Sequence, residues 1–256
     1  MAFALTVVEL KVSLERSGCP ICDQRPRALK RYLDTFHFES MMDMDSRTQL
    51  MEALGFCPAH TFHMVTMEMR DAGDPVGTNL VYEQLTKVAR RNLALWQPDT
   101  VGFSWWNHLR AAWQRLRGRP LGPLAAARPC PACLAIETHA ERALSALVEE
   151  LQRGAPDIVD LYRQGDGLCL AHLREALMRY SRDYPQGTRF LQQDRLARLA
   201  QQEVDLGQYI RKHNWAYRDE VLTEAEERAW RLSLAFFSGY PPDSFQPFAL
   251  PPSEIE

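Results

Sequence analysis

Residues 56–60 read Phe56-Cys57-Pro58-Ala59-His60, and residues 168–172 read Leu168-Cys169-Leu170-Ala171-His172. A cysteine pair on a two-residue spacer precedes each: Cys19-Pro20-Ile21-Cys22 and Cys130-Pro131-Ala132-Cys133. As spacings the sets are C-x2-C-x34-C-x2-H and C-x2-C-x35-C-x2-H, and together they use all six cysteines. Matching positions are offset by 111 residues in the CxxC pairs and 112 in the CxxH pairs. A duplication explains this agreement; chance does not.

Three thiolates and one imidazole complete the coordination of a tetrahedral zinc ion. Taken in chain order, the ligands are Cys19, Cys22, Cys57 and His60 for a first site, and Cys130, Cys133, Cys169 and His172 for a second. Both sites are closed, with no position left for water, which favours structure over hydrolysis. Cys57-Pro58 has the form of a helix start, where the positive end of the helix lowers a thiol pKa, and Cys169 stands in the same place. The expected cofactors are two Zn ions; thiolate sets also hold iron–sulfur clusters, so two [4Fe-4S] clusters are the alternative.

Other uses of the cysteines fit less well. A thioredoxin-like CxxC belongs beside a βαβ pattern, which is missing, and needs no CxxH partner. Structural disulfides do not suit a chain without export signals. Inert buried thiols do not recur with a paired histidine. His63 also follows Cys57 closely, but its counterpart is Glu175, so His60 is taken as the ligand. His37, His108, His139 and His213 lack a ligand-like counterpart; His213 reads as a helix-end cation.

The repeat extends beyond the cysteines. Gly77-Thr78 precedes Leu85, Val88 and Leu95, and Gly187-Thr188 precedes Leu196, Leu199 and Leu206, all at helical spacing. A period this long marks two homologous halves, not a solenoid. Thr6-Val7-Val8-Glu9 has the form of a capping box, with Val7, Leu10 and Leu14 on one face and Gly18 as the stop, so the first cysteine pair is expected at a helix C-terminus. Further helices are expected near 27–42, 47–54, 57 onward, 80–96 and 190–213. Thr223-Glu224-Ala225-Glu226 opens a last one, with Trp230, Leu234 and Phe237 as core. No strand-like alternation stands out. The expected fold is all-α: two pseudo-repeated helical halves, each with a Cys3His metal site, plus a connecting amphipathic helix. The expected division is 1–97, a basic Trp-rich linker 98–128, 129–215, and a C-terminal helix and Pro-rich tail 216–256.

The chain has 256 residues, a formal charge of −3 and 46% hydrophobic residues, a globular composition without a global bias to nucleic acid. No apolar run reaches the roughly 18 residues of a membrane span. The opening MAFALTVVELKVSLER has neither the basic start nor the cleavage site of a secretory signal, so a cytoplasmic location is expected. In the linker, Trp105, Trp106 and Trp113 fall on one helical arc, with Arg110, Arg115 and Arg117 away from it. Such a segment, here 103–119, can meet an anionic membrane, nucleic acid or a partner groove. Packing of the tryptophans on the two halves is the simpler reading. The final stretch from Pro241 carries five prolines in sixteen residues and reads as a tail or a surface strap.

No nucleophile elbow, phosphate loop, dinucleotide fingerprint or HExxH is present, so no catalytic residue is assigned. The acid pairs Glu149-Glu150 and Glu226-Glu227 read as solvated faces. The motifs CPIC, GFCPAH, CPAC and GLCLAH, with the run Tyr209-Ile210-Arg211-Lys212-His213-Asn214-Trp215 and Arg218-Asp219-Glu220, resemble a bacterial family of uncharacterised proteins over most of residues 5–240. Leu168 replaces the family's more usual phenylalanine. The resemblance implies the metal sites and no reaction. The expected function is a non-enzymatic zinc-binding accessory or adaptor protein, its partner another protein; the alternative is an iron–sulfur electron-transfer or redox-sensing protein.

Overall fold

Five helices among the described residues open on a proline, at Pro20, Pro58, Pro131, Pro156 and Pro185. A proline there loses no hydrogen bond, because the first N–H groups of a helix have no partner within it, and its fixed φ suits the first turn. Two of these prolines follow a cysteine of a CxxC pair and a third follows Cys57, so the motifs that carry the ligands also start the helices that carry them.

The computed structural model describes residues 2–95, 124–217 and 219–242, with side chains described from residue 5 onward. Ten α-helices run through these residues: α1 Ala2–Leu14, α2 Pro20–Thr35, α3 Met44–Glu52, α4 Pro58–Ala72, α5 Val76–Leu95, α6 Pro131–Arg153, α7 Pro156–Gln164, α8 Leu170–Tyr180, α9 Pro185–Lys212 and α10 Glu224–Ser238. A π-helical turn, Phe36–Ser40, continues α2, and a 3-10 turn covers Trp215–Tyr217. There is no strand among the described residues. No helix among them is long and apolar enough to cross a membrane.

The chain forms two compact units. One comprises Met1–Arg27 and His139–Glu256; the other comprises Ala28–Thr138. The boundaries fall inside α2 and α6, so the units interleave along the chain. This differs from the division at 97 and 128 expected from the repeat, because two unbroken helices each contribute to both units.

The discontinuous unit is built on Leu10, Leu14, Ile21, Leu144, Leu147, Val148, Ile158, Tyr162 and Leu191, with Cys19, Cys169 and Phe236 in the same cluster. Tyr162 is fully buried, and its hydroxyl accepts the Leu168 N–H at 3.2 Å, which satisfies a backbone donor in the loop before Cys169. The continuous unit packs Leu33, Phe36, Met41, Leu50, Phe56, Met64, Met67, Val81 and Leu85. Phe36 and Phe56 meet edge-on, centroids 5.2 Å apart at 83°, a favoured aromatic geometry.

Helix ends follow their local chemistry where side chains reach backbone. Asp43 caps α3 by accepting the Ser46 N–H at 2.9 Å. Thr223 and Glu226 form the reciprocal box expected at α10, which stops at Gly239 with φ +81°. Buried Glu68 accepts the N–H groups of Gly77 and Thr78 and the Thr78 hydroxyl, capping α5 from a neighbouring helix.

Several expectations are corrected. Thr6 is not a cap, since α1 begins at Ala2 and Thr6 lies inside it. The first cysteine pair sits at the N-terminus of α2 and not at a helix C-terminus, because Pro20 starts that helix directly after Cys19. Leu196 and Leu95 are exposed. The inward face of α9 runs through Thr188, Leu191 and Arg195, spaced three and four, so Leu196 lies about 100° off it. On α10 the core residues are Ala229, Ala235 and Phe236, whereas Leu234 and Phe237 are exposed. Glu226 is no solvated acid: it is buried and paired with Lys212 at 2.7 Å. The candidates Trp105, Trp106, Arg110, Trp113, Arg115 and Arg117 lie outside the described residues.

Candidate metal centres

Among the described residues two groups gather four ligand atoms, all within 4.8 Å of one another: Cys19, Cys22, Cys169 and His172, and Cys57, His60, Cys130 and Cys133. All eight residues expected as ligands take part, but the pairing is crossed. Each CxxC joins the CxxH of the other half of the sequence. The expected grouping by nearest neighbours in the chain, Cys19-Cys22 with Cys57-His60 and Cys130-Cys133 with Cys169-His172, is therefore overturned.

The first centre lies in the discontinuous unit. Cys19 immediately precedes α2 and Cys22 lies in its first turn, which is how a two-residue spacer aims both sulfurs at one point. Cys169 caps α8 with an extended backbone (φ −70°, ψ 166°), and His172 sits one turn on. The His172 Nδ1 lies 3.5, 3.4 and 3.2 Å from the sulfurs of Cys19, Cys22 and Cys169, and the Cys22 and Cys169 sulfurs are 3.8 Å apart. Three of the four residues are buried.

The second centre repeats this geometry in the continuous unit. Cys130 immediately precedes α6 and Cys133 lies in its first turn, while Cys57 caps α4 with φ −65°, ψ 162°. The His60 Nδ1 lies 3.3, 3.6 and 3.4 Å from the sulfurs of Cys57, Cys130 and Cys133, and the Cys57 and Cys133 sulfurs are 3.8 Å apart. In both centres Nδ1 faces the sulfurs. Here no ligand is buried, and Cys133 is exposed.

These spacings fit a single ion. Metal–sulfur bonds of about 2.3 Å in a tetrahedron put sulfurs about 3.8 Å apart. Without a cation the thiols work against one another. Hydrogen bonding to Cys19 and Cys22 holds Cys169 far below the ordinary thiol range, whereas Cys169 and Cys19 push Cys22 far above it. In the second centre burial and the neighbouring Cys57 raise Cys133 to about 12. Burial opposes ionisation of Cys57, but the His60 N–H at the start of α4 and the other two thiols bring it down. A divalent cation removes the conflict by holding all three as thiolates.

The other histidines among the described residues stay out of both groups. The His63 Nδ1 bonds Ala59 O at 2.8 Å, His139 reaches Gln24 Oε1 at 3.0 Å, and the His213 Nδ1 bonds Tyr209 O at the end of α9.

Sequence reasoning missed what surrounds the first centre. Arg195 is buried on α9 and donates from Nη2 to the carbonyls of Asp166 at 2.9 Å and Leu168 at 2.7 Å, pinning the loop that delivers Cys169. Its guanidinium lies 4.5 Å from the Phe236 ring centroid. Burial pulls its pKa down. A Cβ on Gly239 would come 3.1 Å from the Cys22 sulfur and 3.6 Å from that of Cys169, so the end of α10 lies directly over this centre. One signal was available: Leu191 and Arg195 continue a spacing of four on the inward face of α9, where an arginine is unexpected.

The sequence model of a family of unknown function (DUF6062) matches residues 5–243. No curated protein and no solved structure matches the chain.

Proposed function

We propose that this chain, which belongs to the family of unknown function DUF6062, is a non-enzymatic zinc protein, an accessory or adaptor factor whose two Cys3His centres hold its helix starts together. The observation that carries the reading is the filled ligand set: each group supplies three sulfurs and one imidazole nitrogen to one point. A zinc ion bound there neutralises thiolate repulsion and leaves no coordination position for a substrate water.

The ligand spacing also favours one ion over a cluster. A four-iron cube carries its terminal sulfurs on separate metal atoms, further apart than the 3.8 Å between Cys22 and Cys169. Two homologous halves, a cytoplasmic location and a protein partner complete the reading. Its support for the repeat is the offset of the motifs and the identical Nδ1-facing geometry of the two centres.

Elemental analysis with an ultraviolet–visible spectrum of native protein tests it. Two zinc ions per chain and a colourless solution are expected. Iron with a broad visible absorption overturns the zinc assignment, and protein without metal whose thiols all react overturns the reading entirely.

A further inference from the structure

We propose that the two centres divide the work: the one formed by Cys19, Cys22, Cys169 and His172 keeps its ion permanently, and the one formed by Cys57, His60, Cys130 and Cys133 exchanges its ion with the surroundings and so responds to free metal. This rests on both groups binding zinc, as proposed above.

Ligand exchange at a closed tetrahedral ion needs an incoming donor to approach the metal or a sulfur. At the first centre Cys19, Cys169 and His172 are each about 5% exposed or less, and Gly239 lies over the sulfurs of Cys22 and Cys169. At the second centre every ligand has partial or full solvent access. The Cys133 sulfur, which contacts both Cys57 and His60, belongs to the most exposed of the six cysteines.

Charge points the same way. Zinc with three thiolates and a neutral imidazole carries a net charge of −1, costly to bury alone. Arg195 supplies a buried positive charge beside the first centre and locks the Asp166–Leu168 loop. The second centre has no such group at the equivalent place. Val81 and Leu85 lie on the inward face of α5 as Leu191 and Arg195 do on α9. A Cβ on Gly55, just before Phe56-Cys57, would meet Leu85, whereas one on Gly167, just before Leu168-Cys169, would meet Arg195. Leucine thus stands in the continuous unit where arginine stands in the other. It packs the loop but neither neutralises charge nor bonds the loop carbonyls. Groups of this supporting kind change metal affinity by about 10- to 100-fold.

The test uses full-length protein loaded with two equivalents of zinc and challenged with excess 4-(2-pyridylazo)resorcinol. One equivalent is expected to leave at least about tenfold faster than the other. Cys133→Ser is expected to abolish the fast equivalent and leave the slow one at its original rate. Iodoacetamide with mass mapping of unmutated holoprotein gives a second readout, independent of how the variant folds: Cys57, Cys130 and Cys133 are modified before Cys19, Cys22 and Cys169. A common release rate, a fast phase that survives in Cys133→Ser, or alkylation in the reverse order overturns the division of labour while leaving the zinc reading intact. A chain that takes up no zinc at all sinks both.

Discussion

The sulfurs of Cys22 and Cys169 lie 3.8 Å apart although the residues are separated by 147 positions in the chain. That contact decides which motif completes which centre, and it gives metal-binding mutants a distinctive pattern. Combining Cys22→Ser with His172→Ala is expected to remove one of the two proposed ions, because both residues belong to one group. Combining Cys22→Ser with Cys57→Ser is expected to remove both, although those residues belong to successive motifs in the chain. Metal content after gel filtration checks this; the opposite pattern restores the sequential pairing.

Arg195 holds two loop carbonyls, and its removal leaves them buried without donors. At about 1–3 kcal/mol for an orphaned buried group, Arg195→Leu is expected to lower stability by about 3 kcal/mol. Urea unfolding of metal-loaded protein measures it. Leu85→Ala, at the position matched in the other unit, acts through a cavity instead, and its cost of about 2–4 kcal/mol carries no loss of hydrogen bonds.

Gly77 and Gly187 both stand at close approaches, but the neighbours differ. A Cβ on Gly187 would fall 2.5 Å from the Val148 carbonyl oxygen and 3.0 Å from the Gln152 nitrogen, both backbone. On Gly77 it would meet the ends of the Met41 and Glu68 side chains. Flexible side chains can move; a helix backbone cannot move cheaply. Gly187→Ala is therefore expected to cost about 3 kcal/mol and Gly77→Ala about 1 kcal/mol. Equal melting temperatures for the two variants contradict this.

The buried pair of Lys212 and Glu226 predicts an acid-dependent contribution. Lys212 and the Thr223 N–H hold the Glu226 carboxyl below its ordinary value of 4.5. A carboxylate whose pKa is lower when folded contributes stability that is fully present above the unfolded value and fades as pH falls through the folded one. The difference in stability between native protein and Glu226→Gln is thus expected to be constant at neutral pH and to shrink below about pH 4.5. Comparing the two proteins cancels the separate effect of acid on the metal centres.

The eight cysteine and histidine residues that the fold gathers, the helical class and the helix starts at Cys57-Pro58 and Thr223 were legible in one dimension. The reason is local: Cys-Pro, the Thr223 box and Gly239 act through atoms within a turn of their own position, and three sulfurs with an imidazole have few other uses. Of the stretch read as a tail or a surface strap, only Pro241 and Pro242 lie within the described residues. Pro241 closes on Gly18, where a Cβ would stand 3.0 Å from the Pro241 Cα.

What spacing could not supply was partnership over distance. Two equivalent CxxC pairs and two equivalent CxxH pairs satisfy a metal equally well in either combination. Closing the longer loop, 147 residues against about 35, costs only about 1 kcal/mol more, because closure entropy grows with the logarithm of length. Packing easily outweighs that difference. The burial of Arg195 beside one centre and of Leu85 at the matching place in the other was hidden for the same reason: a side chain's charge environment is set by what folds against it. Residue chemistry named the candidate ligands, and the packing of helices remote in the chain chose their partners and gave the two groups different surroundings.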